Sequence, residues 1–228
     1  MHAREWVAHA AATYIAQQLL ERYGADNATT ALLDRYEVVV VPVANPDGYQ
    51  YTWTDDRLWR KNRRKPADGS TSRCAGTDLN RNFANHWGGV GASKSPCAQD
   101  YRGPDVASEP ETQAIQQYVL GLRNRAIGID LHAYGQLILR SYGYTADPSP
   151  REDLLREVSH GMQEAMRTVH GAVYTSMRAA ELYPTTGSTD DWYTEQVRAA
   201  RCRERRISRQ GSLTVPTQRR RAWGARPA

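Results

Sequence analysis

The sequence predicts an α/β layered fold, and two features predict it. Short apolar segments of strand character, at residues 36–43 and 127–131, alternate with longer stretches of helical pattern. The chain also has the size and composition of one domain, or of one domain with a tail. Its 228 residues are 40% hydrophobic and 24% charged, enough apolar material for a packed core. Several classes are excluded at once. The longest apolar run, residues 38–43, is broken by Pro42 and is far too short to cross a bilayer. Met1-His2-Ala3-Arg4-Glu5 has neither the basic start nor the apolar stretch of a signal peptide. Three cysteines are too few for a disulfide-built scaffold, although they allow one pair.

Residues 6–23 consist of strong helix formers and meet a stop at Gly24. Residues 36–43 are β-branched and almost continuously apolar, so they read as a strand covered on both faces. That strand ends at Asn45-Pro46-Asp47-Gly48, a turn signal. Residues 51–105, rich in Gly, Asn, Asp, Arg and Trp without periodicity, read as a long functional loop region. Ser108-Glu109-Pro110-Glu111 reads as a capping box opening a helix whose Ile115, Tyr118, Val119 and Leu122 share a stripe. Residues 127–131 predict a short buried strand, residues 136–140 another, and residues 151–170 a third helix. No internal repeat is present.

Charge divides the chain. Residues 198–228 hold ten arginines and one acid, Glu204, giving the tail +9; the net +5 of the whole leaves residues 1–197 at −4. A basic end of this kind can bind nucleic acid or an anionic membrane by counterion release, and it can equally be an unselected tail.

His2 and Glu5 form a His-x-x-Glu pair whose spacing brings both side chains to one side of a helical turn, as two ligands of one metal require. Alone the pair is a weak signal, since a first-turn Glu is also favoured by the helix dipole. His132 is the third candidate. It directly follows the strand at 127–131, and ligands gather at the carboxyl ends of strands in open α/β sheets. His9, one turn beyond Glu5, is the competing ligand, while His160 and His170 are expected to face solvent. Two nitrogens and one carboxylate with an open fourth position are the donor set of a catalytic zinc site. A hydrolase follows.

Six blocks then occur in order: His2-Ala3-Arg4-Glu5-Trp6, Asn45-Pro46-Asp47-Gly48-Tyr49, Leu58-Trp59-Arg60-Lys61, Asp78-Leu79-Asn80-Arg81-Asn82-Phe83, His132-Ala133-Tyr134-Gly135-Gln136, and Tyr183 through Trp192. Together they resemble the zinc carboxypeptidases of the A, B and T kind. The resemblance implies a mixed twisted sheet with helices on both faces, and one zinc ion held by His2, Glu5 and His132. It implies that Asn80 and Arg81 grip the C-terminal carboxylate of a peptide, a task suited to a guanidinium fork. Arg60 matches the residue that stabilises the oxyanion, with Arg57 in support, and Tyr183 the tyrosine that closes over substrate. Asp190 falls where side-chain preference is set, and an acid there implies preference for C-terminal Lys or Arg. Asp191, its neighbour, looks structural. Cys74 and Cys97 match a loop disulfide worth about 3 kcal/mol. The partners implied are peptide or protein C-termini, the state a monomer, and the location extracellular.

The chain also departs from the family pattern. It starts at the metal motif, without the preceding strand, signal or pro-segment, so the sheet is expected to be incomplete and to lack flanking strands. The match fades near residue 193. The glutamate that serves the family as general base should lie about a dozen residues beyond Trp192, where Arg205 stands, and the context of adjacent Glu204 has no strand alternation. Residues 1–195 therefore read as a partial catalytic domain. Residues 196–228 read as a divergent, Arg-rich, disordered tail, of the kind left by a shifted reading frame or a truncated gene. With flanking strands missing from the sheet, the isolated 228-residue chain is expected to be poorly stable and inactive or nearly so. The competing reading is a non-catalytic protein that keeps Asn80, Arg81 and Asp190 for peptide recognition.

Overall fold

The computed structural model describes residues 1–66 and 74–196. Helix α1 (Trp6–Arg22) ends just before Gly24, whose φ of +82° breaks the helical path. A short helix that sequence periodicity misses, α2 (Asn27–Arg35), follows and packs on α1; Asp26 caps it by accepting the Thr29 N–H. Asn45-Pro46 opens α3 (Pro46–Thr54) instead of a turn. The Asn45 side chain accepts the Gly48 N–H at 3.0 Å and Pro46 occupies the first turn, so the turn-forming residues act as a helix start.

A 3₁₀ turn at Leu79–Arg81 punctuates the long loop region, and α4 (Pro110–Gly121) follows it. The capping box expected at Ser108 does not form. Glu109 occupies the cap position without a side-chain cap bond, and the Ser108 hydroxyl donates to the Glu109 carboxylate at 2.6 Å.

Among the described residues, the sheet consists of β1 (Leu137–Arg140) and β2 (Thr175–Arg178), parallel, with Leu137 opposite Thr175 and Arg140 opposite Arg178. The connection is α5 (Glu152–His170), which packs against both strands and ends at Gly171 in the left-handed conformation. Then come α6 (Ala179–Leu182) and α7, helical over 189–196. The fold is thus a partial α/β domain.

The two apolar segments expected as buried strands are corrected. Neither 36–43 nor 127–131 forms a ladder among the described residues. Val38, Val39 and Val41 are exposed, Val41 to 55%, and so are Ile127 and Ile129, Ile127 to 61%. A continuous apolar run specifies a two-sided strand only where neighbours exist to bond both edges, and the described residues supply none. The tail reading for 197–228 lies outside the described residues.

The apolar core is correspondingly small. Met1, Leu79, Phe83 and Trp192 form one cluster, and Ala3, Trp59 and Ala75 another. Most of the largest fully buried side chains are polar: Lys61, Glu109, Asn45, Asn62 and Asn82 join Phe83. Each of these polar groups is satisfied, as burial demands. Glu109 accepts from Asn62, Arg64 and Ser108, and the Asn82 amide donates to the Arg102 and Asp105 carbonyls. Lys61 donates to the Pro96 carbonyl at 2.6 Å, and burial brings its ammonium down to about 8. Cys74 and Cys97 are joined by a disulfide within the same loop region.

Stability should track this distribution. Phe83→Ala, at a site with 0% exposure against Trp192, is expected to cost about 3–5 kcal/mol in urea unfolding. Val41→Thr, on the exposed segment, should stay within about 0.5 kcal/mol.

Candidate active site

A tight turn begins the site. The Glu5 N–H donates to the His2 carbonyl at 3.2 Å, which sets the two side chains side by side just ahead of α1. The Glu5 carboxylate caps no helix N–H and faces the histidines instead. Glu5 Oε1 lies 2.9 Å from His2 Nδ1, and Oε2 lies 3.0 Å from His132 Nδ1 and accepts the Ala133 N–H at 3.1 Å. The two Nδ1 atoms are 3.0 Å apart. One potential ligand atom from each of His2, Glu5 and His132 lies within 4.8 Å of the others. His2 and Glu5 are buried, while the His132 side chain is 33% exposed, so the cluster opens on one side.

A second row of carboxylates orients the rings. His2 Nε2 meets Asp78 at 3.0 Å, and His132 Nε2 meets Asp130 at 2.9 Å. With each Nε2 hydrogen given to a carboxylate, both Nδ1 lone pairs turn toward Glu5, itself an acceptor only. Three acceptors converging this closely call for a cation among them. Tetrahedral zinc with bonds of about 2.0–2.1 Å spaces its ligand atoms roughly 3.3 Å apart, and carboxylate-backed histidines are its usual holders. The donor set fits zinc.

Titration follows from the same contacts. Burial alone would lower the His132 imidazolium, but Asp130 and Glu5 outweigh it and push the ring up to about 10. Burial depresses His2 despite Asp78. Burial would raise Glu5, Asp78 and Asp130, yet each is held well below the carboxylate range, Glu5 by His132 and His2, Asp78 by His2 and Arg60, Asp130 by His132.

The structure gathers some of the expected residues here and leaves others apart. Arg60 binds Asp78 through Nε (3.1 Å) and Nη2 (2.9 Å), and its Nη1 stands 3.9 Å from Glu5. Asn80 Nδ2 is 3.4 Å from His132 Nε2, while Asn80 Oδ1 accepts the Thr189 N–H and hydroxyl. Arg81, buried beside it, donates from Nε to the Gly91 carbonyl and from Nη1 to the Asn80 carbonyl. Asp190 sits on α7 next to Thr189, its carbonyl accepting the Ser141 hydroxyl. Arg57 and Tyr183 stand outside this network. Arg57 donates to the Arg4 carbonyl at 2.8 Å, and Tyr183 is exposed beyond α6. His9 points to the Pro42 carbonyl at 3.0 Å and is not a ligand candidate.

Sequence reasoning missed the two orienting acids. Asp130 and His132 are two apart in an extended-type segment, a spacing that places them on one face. Asp78 caps the 3₁₀ turn by accepting the Asn80 N–H, so its place two residues ahead of Asn80 was a readable cap signal. Asp191 is fully buried and accepts the Gly143 and Tyr144 N–H groups. Burial, aided by Asp190, raises its carboxyl to about 7.

Two outcomes follow. Asp130→Asn should weaken zinc binding about 10- to 100-fold in competition with a chromophoric chelator. Because Asp191 holds its proton up to about 7 when folded but only to about 4 when unfolded, stability should decline as pH rises between those values. Urea midpoints should show that decline, and Asp191→Asn should flatten it.

The chain is similar to known proteins over most of its length. The zinc carboxypeptidase family model matches residues 1–217. Zinc carboxypeptidase A 1 of Drosophila melanogaster is 41% identical over 218 residues, covering 94% of this chain and 49% of the relative. Carboxypeptidase O of Bos taurus is 40% identical over 194 residues, covering 84% and 51%. A crystal structure of thrombin-activatable fibrinolysis inhibitor superposes with a TM-score of 0.78 at 38% identity, covering 85% of this chain and 49% of that one. The chain spans about half the length of the curated relatives it matches. It belongs to the zinc carboxypeptidase family.

Proposed function

We propose that this chain carries the zinc and substrate-anchoring half of a metallocarboxypeptidase site, which takes peptides by their free C-terminus. The observation that supports the reading is the convergence of His2 Nδ1, Glu5 and His132 Nδ1 beside Asn80 and Arg81. One zinc ion, when held by His2, Glu5 and His132, supplies Lewis-acid polarisation of the scissile carbonyl and a water of lowered pKa.

The chain's own groups do the rest. Arg81, fixed through Nε and Nη1, presents the remainder of its guanidinium to the substrate carboxylate, and Asn80 adds an amide donor from Nδ2. Arg60, braced by Asp78, turns Nη1 toward the metal cluster, where negative charge develops on the attacked carbonyl oxygen. Asp190 selects a C-terminal Lys or Arg, and Tyr183 closes over the ligand. The general base is not assigned among residues 1–196, and its expected neighbourhood lies outside the described residues. The protein acts as a secreted monomer on peptide or protein C-termini.

The test is zinc content, peptide binding and turnover measured on one sample of the purified chain. Stoichiometric zinc is expected, with binding of an arginine-terminated peptide about a hundredfold tighter than its C-terminally amidated form. Arg81→Met should erase that difference, and Asp190→Ile should shift preference from basic to apolar C-termini. Binding without cleavage would favour the non-catalytic peptide-recognition reading. Absence of zinc binding would refute both enzyme and ligand assignments.

A further inference from the structure

We propose that Arg57 is a positioning residue for the metal ligand Glu5, acting through both of its chain neighbours, instead of a substrate contact. This inference rests on the zinc-site reading and deepens it. Arg57 Nη1 donates to the carbonyl of Arg4, the residue before Glu5, at 2.8 Å. The same guanidinium lies 3.8 Å over the ring of Trp6, the residue after Glu5. One side chain therefore holds the backbone on one side of the ligand and the indole on the other.

Neighbouring contacts make that grip stiff. Arg4 returns a bond to the Leu58 carbonyl at 3.2 Å, and the Ala3 N–H donates to the Arg60 carbonyl at 3.0 Å, so residues 3–4 are registered along 57–60. Trp6 stacks on Trp53 at 4.0 Å and donates to the Thr52 hydroxyl at 2.8 Å, which anchors it to α3. Glu5 itself directs its carboxylate toward His2, His132 and Ala133, with Arg60 Nη1 3.9 Å away. Its position is thus set by residues 4 and 6, and Arg57 ties these two together. A planar guanidinium can bond a carbonyl and lie on a ring at once; an ammonium cannot do both in this geometry.

Electrostatics supplies a sign that separates the alternatives. Removing a positive charge near a cation site should, by charge alone, tighten zinc binding. Positioning predicts the reverse. Zinc affinity, by chelator competition, and the visible spectrum of the cobalt(II)-substituted protein are measured for the full chain, Arg57→Gln and Arg57→Lys, with far-UV circular dichroism to monitor folding. Arg57→Gln is expected to weaken zinc about threefold to tenfold and to alter the cobalt spectrum, with Arg57→Lys recovering part of the loss. If Arg57→Gln does not fold, Arg57→Lys against the unmodified chain carries the same comparison. Unchanged or tighter zinc binding together with weaker binding of an arginine-terminated peptide would overturn the proposal and return Arg57 to the substrate. Failure of the unmodified chain to bind zinc would instead overturn the zinc-site reading, and this inference with it.

Discussion

The carboxylate of Asp78 is the constraint on which the site depends. It is fully buried, and it meets three partners that belong to different parts of the chain: the His2 ring, the Arg60 guanidinium and the Asn80 N–H. A buried anion survives only when its charge and lone pairs are satisfied, and here each partner does so while being fixed in return. The His2 ring, the Arg60 cation beside the cluster and the turn that carries Asn80 and Arg81 are therefore placed by one group. Removing that group would strand a half-buried guanidinium and release the imidazole in a single step.

Around this anion the chain is held mainly by polar burial. Asn45, Asn62, Asn82, Glu109 and Lys61 fill space that aliphatic side chains occupy in most domains, and each depends on specific hydrogen-bond partners. Such a network fixes geometry closely but contributes only modest net stability per bond. The apolar residues that could add more, Val38, Val39, Val41, Ile127 and Ile129, lie in contact with water. Order near the site and weakness at those segments have the same origin: the described residues bring polar partners for the first and no strand partners for the second.

Much of the site was legible because its chemistry is local in sequence. His2 and Glu5 are three apart, Asn80 and Arg81 adjacent, and His132 lies at the end of a recognisable apolar segment. The helices at 6–22, 110–121 and 152–170 were legible for similar reasons, carrying long patterns with clear stops. What escaped depended on distant partners. Asp130 gains meaning only once His132 turns toward Glu5, and β2 exists only because β1 lies beside it. The segments at 36–43 and 127–131 fail in the opposite sense, since their residues specify strands that pairing does not complete.

The bond between Asn80 and Thr189 has a consequence for how such a protein can change. Thr189 gives both its backbone N–H and its hydroxyl to one oxygen of Asn80, directly beside Asp190. On the proposed reading, the group that recognises a chain end and the group that reads its last side chain share a hinge pin. Selectivity can then drift by exchange at position 190 alone, whereas any replacement at 189 would disturb both forms of recognition together. Variation at the start of α7 should be permissive at one residue and restrictive at its immediate neighbour.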